Sequence, residues 1–371
     1  MSVLKTSRVA AAILILPCPA LVQAAIWHTS VAVPMTVEHD SNPLLLTSQE
    51  KAVTSTYLDP EVGLLGTFDR DQFDFGLGAH VLRSSDRNIL GDREDPRVRL
   101  GWQRDYDKGR YGLVGTYVES STLSSAILET GVITTDGTQK LYTLTGNWSR
   151  QLSERGLLEN ETSYDDASYD VSTLIGYKEY ANRLSYTYAW TERTDLFTRF
   201  IYRRYEPDDR NAAIASNSYT PVIGLTHQFT ERLEGSVNVG VNEVSGDGGG
   251  RKGQGGVSLR YRGERMDANI AADRSSVASG QGGFSEIDTL RGSWSYLVAD
   301  TDRIGFDASW QDSKGQTPNK LWSAGAWASR ELSPFWVARL SLVYRERQQD
   351  NLPDATGTII GLSLTYRFPD Y

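Results

Sequence analysis

Short polar turns punctuate this chain at a nearly constant interval, and that interval limits the folds open to it. Ser153-Glu154-Arg155 recurs as Thr191-Glu192-Arg193, Thr230-Glu231-Arg232 and Gly263-Glu264-Arg265. Similar breaks sit at Asp69-Arg70-Asp71, Asp107-Lys108-Gly109, Asp300-Thr301-Asp302 and Leu332-Ser333-Pro334. The spacing is roughly 30–45 residues, room for two strands of about ten residues, one tight turn and one longer loop. Self-similarity at this period calls for a repeat architecture, and here the repeated unit is a hairpin. A propeller needs four strands in such a period, and this sequence supplies two.

Between the breaks, apolar and polar residues alternate with period two, the pattern of a strand with one face buried. Phe73, Phe75, Leu77, Ala79 and Val81 alternate with Asp74, Gly76, Gly78 and His80. Leu184, Tyr186, Tyr188 and Trp190 alternate with Arg183, Ser185, Thr187 and Thr191, and the last segment sets Ile360, Leu362, Leu364, Tyr366 and Phe368 against Gly361, Ser363, Thr365 and Arg367. The pattern gives about eighteen strands, close to the number in large outer-membrane barrels. Alternation is poorest in the first, second and seventh, and Pro34 removes a ladder donor from the first. The apolar sets end in rings: Trp190, Tyr202, Trp310, Trp327, Trp336, Tyr344, Tyr366 and Phe368. Amphipathic rings at the ends of an apolar stripe suit a lipid headgroup boundary. The 9 tryptophans and 19 tyrosines of the chain would also suit a carbohydrate-binding surface. A net charge of −9 and a negative mean hydropathy do not oppose a membrane, because only alternate residues of a barrel strand face lipid.

Residues 1–24 read as a secretory signal. Lys5 and Arg8 form its charged region, Val9 to Leu16 its apolar region, and Val22-Gln23-Ala24 its cleavage site. The apolar stretch is too short to span a bilayer, and no longer one follows. The only cysteine, Cys18, lies inside this segment, and Pro17 before it argues against a lipoprotein cleavage box. The mature chain, residues 25–371, then has neither disulfide nor thiolate chemistry. A closed barrel in lipid is one source of stability for such an exported chain.

The polar face of the strands is rich in charge. Arg97, Arg99, Arg199, Arg203, Arg260, Arg262, Arg291, Arg303, Arg339, Arg345 and Arg367 fall on it, with Asp74, Glu234, Asp267, Asp273 and Asp307. They are the candidates for a lumen lining. One reading is a set of cross-strand ion pairs that stiffens the wall; the other is a polar conduit for a hydrated, anionic polymer, and the two are compatible. Polar connections are expected at Ser84 to Pro96, Ser120 to Thr138, Asp165 to Lys178, Glu206 to Ser218, Ser245 to Gly256 and Arg347 to Thr356. These are placed outside the cell, with the short turns in the periplasm.

No motif for catalysis emerges. The glycine run from Gly246 to Gly256 lacks a Gly-Lys-Ser/Thr ending and precedes a strand, so it reads as a flexible surface loop rather than a phosphate loop. Asp165-Asp166 and Asp208-Asp209 are read as solvated loop charge, without calcium-loop spacing. His28, His39, His80 and His227 share no ligand spacing, and no Gly-x-Ser-x-Gly elbow is present. No metal, cofactor, catalytic residue or nucleic-acid partner is expected.

His39-Asp40-Ser41-Asn42-Pro43 directly after the first strand, the Glu-Arg turns feeding the tyrosine-rich strands Leu184 to Trp190 and Phe197 to Tyr205, and the Tyr366-Arg367-Phe368 ending together resemble the outer-membrane β-barrel proteins of Gram-negative exopolysaccharide clusters. The resemblance covers nearly the whole mature chain. It implies an outer-membrane exit for a polysaccharide, working with a periplasmic polysaccharide export protein and inserted by the barrel assembly machinery. It carries over no catalytic residue. Pro369-Asp370-Tyr371 after the terminal aromatic departs from the family ending. The expected protein is an all-β, transmembrane, antiparallel up-and-down barrel, a channel rather than an enzyme. A general or solute-specific diffusion porin is the alternative, and a barrel enzyme or a structural barrel stands behind both.

Overall fold

The computed structural model describes residues 26–125, 136–209, 213–246, 249–315 and 317–368. The expected signal segment and Pro369-Asp370-Tyr371 lie outside the described residues. The strands are β1 (Ile26–Asp40), β2 (Val53–Leu58), β3 (Glu61–Phe68), β4 (Asp71–Ser84), β5 (Arg93–Tyr106), β6 (Gly109–Ser121), β7 (Thr138–Ser153), β8 (Gly156–Tyr169), β9 (Tyr177–Thr191) and β10 (Thr194–Pro207). They continue as β11 (Ser216–Thr230), β12 (Leu233–Ser245), β13 (Gly250–Arg262), β14 (Met266–Ala278), β15 (Phe284–Ala299), β16 (Asp302–Ser313), β17 (Asn319–Ser333), β18 (Trp336–Gln348) and β19 (Ala355–Phe368). A one-turn helix, α1 (Thr122–Ser125), follows β6.

From β3 onward each strand pairs antiparallel with the next, and β19 returns to pair with β1. The sheet therefore closes on itself. β2 and β3 are two parts of one wall strand. Both pair with β1 on one side and β4 on the other, and the register is the same above and below the break. The break falls at Asp59-Pro60, where proline has no donor for the ladder. Pro34 of β1 lies opposite, and its carbonyl accepts from the Asp59 N–H at 3.0 Å. Counted this way the wall has eighteen strands, and all eighteen expected from the sequence are present.

All eight short polar breaks lie at one end of the barrel, and the longer connections at the other. The loops are shorter than the sequence suggests. β8 runs on to Tyr169, so Asp165 and Asp166 are wall residues rather than loop charge. β13 begins at Gly250, so Gly250–Gly256 is strand and not a flexible loop. Asp165, Lys252 and Gln254 point to the wet inner face, while Asp166 and Arg251 stand on the outer face at the loop end, level with or beyond the tyrosine girdle, so both stretches keep enough polar residues to look like connections.

The two faces of the wall differ in character, with a polar exception on the outer side, where Asn160, Thr162 and Asn182 hydrogen-bond to one another and Asn182 Nδ2 donates to Thr162 Oγ1 at 2.7 Å. Large apolar side chains are exposed on one face, as with Leu77, Leu100, Ile223, Val239, Phe306, Leu340 and Leu362. Directly paired residues share a face, so this belt continues from strand to strand through the register. Tyrosine pairs border it at the loop end: Tyr117–Tyr142, Tyr164–Tyr180 and Tyr202–Tyr219 have centroids 4.5, 4.9 and 5.2 Å apart. Trp102–Tyr111, Trp294–Tyr296 and Trp336–Tyr366 border it at the turn end. An apolar belt between two aromatic girdles on a closed sheet is the outer surface of a transmembrane barrel.

The two faces of β18 offer a direct test. Leu340 and Leu342 are 56% and 51% exposed on the outer face, and Arg339 and Arg345 alternate with them. Leu340→Arg is expected to cost about 2–4 kcal/mol near the bilayer midplane and to lower the yield of heat-modifiable barrel. Arg339→Gln is expected to leave that yield intact. Equal tolerance at both positions would contradict the assignment of faces.

Candidate functional site: the barrel interior

Strands that are not neighbours in the wall touch only across the interior, and one such contact identifies the inner face. Arg203 of β10 donates through Nη1 to the backbone oxygen of Ser276 in β14, four strands away. The face carrying Arg203 is therefore the lumen. Following paired residues around the wall places Arg97, Arg99, Arg199, Arg260, Arg262, Arg291, Arg303, Arg339, Arg345 and Arg367 on the same face, with Asp74 and Asp307. Glu234, Asp267 and Asp273 share it as well. On the outer face lie Trp190, Tyr202, Trp310, Trp336, Tyr344, Tyr366 and Phe368.

Trp327 is a correction to the reading of the sequence. It pairs with Gly305 and Ser341 on the arginine face, so it is a lumen residue and not an interfacial one. The outer set of β17 is Trp322, Ala324, Ala326 and Ala328. Alanines gave that face a weak apolar signal, and the tryptophan on the other face drew the assignment.

Many inner arginines are tied to carboxylates. Arg99 meets Asp74 at 2.6 Å and Arg345 meets Asp40 at 2.6 Å. Arg303 meets Asp267 at 3.5 Å, and Arg97 meets Asp59 at 3.3 Å, beside His80. Arg93, which the sequence reading passed over, is buried with Asp95 at 2.9 Å and Asp136 at 3.3 Å. Its Nη1 also donates to the carbonyl of Gly137 at 2.8 Å, fastening the end of the loop after α1 to the wall. These pairs stiffen the barrel. Arg260, Arg291, Arg339 and Arg367 have no carboxylate within ion-pair distance among the described residues.

Two segments at the loop end turn inward. After β1, Asn42 is buried and donates to the carbonyls of Leu46 and Thr356, each at 2.9 Å, while Arg345 holds Asp40 just before it. This loop roofs a cavity of about 580 Å³ lined by Glu38, Asp40, Tyr57, Asp59, His80, Arg93 and Arg97 among others. The second segment is the β14–β15 hairpin. β14 pairs with β13 only up to Arg274, yet with β15 as far as Ala278. Above Arg274 the hairpin therefore leaves the wall. Its tip, residues 279–283, reaches strands on the far side: Tyr205 Oη donates to the Ser279 carbonyl at 3.3 Å, and the Ile175 N–H to the Gly280 carbonyl at 2.7 Å. Phe284 and Ala278 pack with Tyr205, Tyr177 and Ala167 in the main buried cluster.

Arg203 fastens this hairpin. It makes a two-bonded ion pair with Glu179, the Nη2–Oε2 distance being 2.9 Å, and its guanidinium lies 4.8 Å from the Phe284 ring centroid. Below the hairpin a cavity of about 380 Å³ is lined by Glu161, Asp165, Glu179, Arg183 and Arg203. At the hairpin's base Lys314 donates to Glu286 at 2.7 Å and to Asp288 at 2.9 Å. The bonds to Glu286 and then Asp288 hold its ammonium above the ordinary lysine value. The hairpin thus narrows the mouth of the lumen.

No family model and no curated protein matches this sequence. Solved structures do match. Pseudomonas aeruginosa OpdO has a TM-score of 0.53 at 8% identity, covering 92% of this chain and 97% of that one. Acinetobacter baumannii OccAB3 has a TM-score of 0.51 at 8% identity, covering 93% and 99%. The outer membrane channel DcaP of Acinetobacter baumannii has a TM-score of 0.48 at 10% identity, covering 93% and 98%. At such identities the likeness is one of fold.

Arg203→Ala removes the ion pair, the bond to Ser276 and the ring contact together. The expected local loss is about 3–5 kcal/mol, the range for a buried pair deprived of one partner. Barrel assembly should persist, because the wall ladder is untouched. Conductance in a planar bilayer should rise, and limited proteolysis should cut the hairpin tip faster. Unchanged conductance and unchanged cleavage would show that the hairpin is held by other means.

Proposed function

We propose that this chain is an outer-membrane channel that serves as the exit for an exopolysaccharide. The observation that carries the reading is the pairing of an apolar outer belt with an inner face of arginines, several of which have no carboxylate partner among the described residues. A wall needs ion pairs for stiffness, but unpaired guanidinium groups on a wet surface are free to meet a passing anionic or hydroxyl-rich chain. The turn end, with its charged tips at Arg155, Arg193 and Arg232, would face a periplasmic polysaccharide export protein. Insertion by the barrel assembly machinery and contact with outer-membrane lipid belong to the same proposal.

The inward hairpin favours a second reading, a diffusion channel for small solutes, because it narrows the mouth of the lumen. Deletion of the gene separates the two. The exit reading predicts loss of surface polymer with small-solute uptake unchanged. Normal surface polymer together with lost uptake would establish the diffusion channel instead.

A further inference from the structure

One part of the lumen wall departs from the paired pattern. On the inner faces of β14 to β18 a cavity of about 400 Å³ is lined by Arg291, Asp307, Trp327 and Arg339, with Asn269 and several serines. That volume lies within the roughly 300–1,000 Å³ of small-ligand sites. Trp327 lies flat across Gly305 of the neighbouring strand, and a Cβ at that glycine would run into the indole. Its Nε1–H donates to Asp307 Oδ2 at 2.9 Å, which fixes the ring. The guanidinium carbon of Arg339 then sits 4.2 Å from the ring centroid.

Stacking uses the face of the guanidinium and leaves its edge N–H donors free. Arg339 is therefore held in place without being neutralised. Arg291 lies three strands away, level in the register with Arg345 rather than Arg339; it lines the far end of the cavity and has no carboxylate either among the described residues. Two cationic forks set apart along one groove, with Asp307 and serine hydroxyls between them, match a short run of sugars that carries more than one carboxylate. We propose that this cavity is a subsite for an acidic polysaccharide chain, with Arg339 and Arg291 each taking the carboxylate of a different sugar and Asp307 accepting a ring hydroxyl. The proposal rests on the chain being a channel whose lumen meets solute.

The test uses the purified full-length barrel in planar lipid bilayers. Three probes are added: an oligogalacturonate, a neutral maltooligosaccharide of equal length, and monomeric galacturonate. The oligogalacturonate should interrupt the current with longer residence than the neutral chain. Arg339→Gln and Arg291→Gln should each shorten that residence by about tenfold, the size of a lost charge-assisted hydrogen bond. Arg99→Gln, at an inner arginine on the far side of the barrel that is already tied to Asp74, should not. Monomeric galacturonate held as long as the oligogalacturonate would overturn a subsite that takes two carboxylates. Equal residence for acidic and neutral chains, or no effect of the two substitutions, would overturn the subsite while leaving the channel intact. If the protein passes no current, the channel reading fails separately, and calorimetric titration with the oligogalacturonate decides: binding lost in Arg339→Gln and Arg291→Gln keeps the subsite, and no binding removes it.

Discussion

Closure of the sheet is the constraint on which everything else in this molecule depends. An open edge of eighteen strands would expose a row of N–H and C=O groups, each costing several kcal/mol in hydrocarbon. The pairing of β1 with β19 on one side and with the β2–β3 strand on the other removes that edge. Once the wall is closed, period two sorts every side chain into lipid or lumen, and a single shift of register would exchange them. The girdles, the inner arginines and the enclosed cavities all follow from that sorting.

Much of this was legible in the sequence because it is local. Turn chemistry at Glu154-Arg155, Glu192-Arg193 and Glu231-Arg232 marks the ends of hairpins, and alternation such as Phe73, Phe75 and Leu77 marks the faces. The misreadings have physical causes. Trp327 is amphipathic and was placed by its type, while the alanines across from it left no contrast to say which face was outer. Asp165 and Gly250–Gly256 are polar or small enough to pass for loop, and only cross-strand pairing shows them to be wall.

The inward hairpin was not legible at all. Residues 279–283 form a loop as short as an ordinary connection, and nothing in their composition points inward. What draws them in is tertiary: Tyr205, Tyr177 and Arg203 lie more than seventy positions away in the chain. The same holds for the luminal cavity, where Gly305, Trp327 and Arg339 come from three strands and acquire meaning only when the register sets them side by side.

Two prolines beside the closing seam act on neighbouring ladders. Pro34 faces Asp59 between β1 and the β2–β3 strand, and Pro60 faces Ala79 between that strand and β4; their carbonyls accept from the Asp59 and Ala79 N–H groups at 3.0 and 3.1 Å. Neither ring has an N–H to return, so each ladder lacks one bond at nearly the same height, each worth about 1 kcal/mol net. The β1–β19 junction, where the first and last parts of the chain meet, keeps ten paired positions. Mechanically, the line along which heat or lateral tension would loosen the cylinder runs beside Asp59-Pro60, one strand away from the line along which the chain closes.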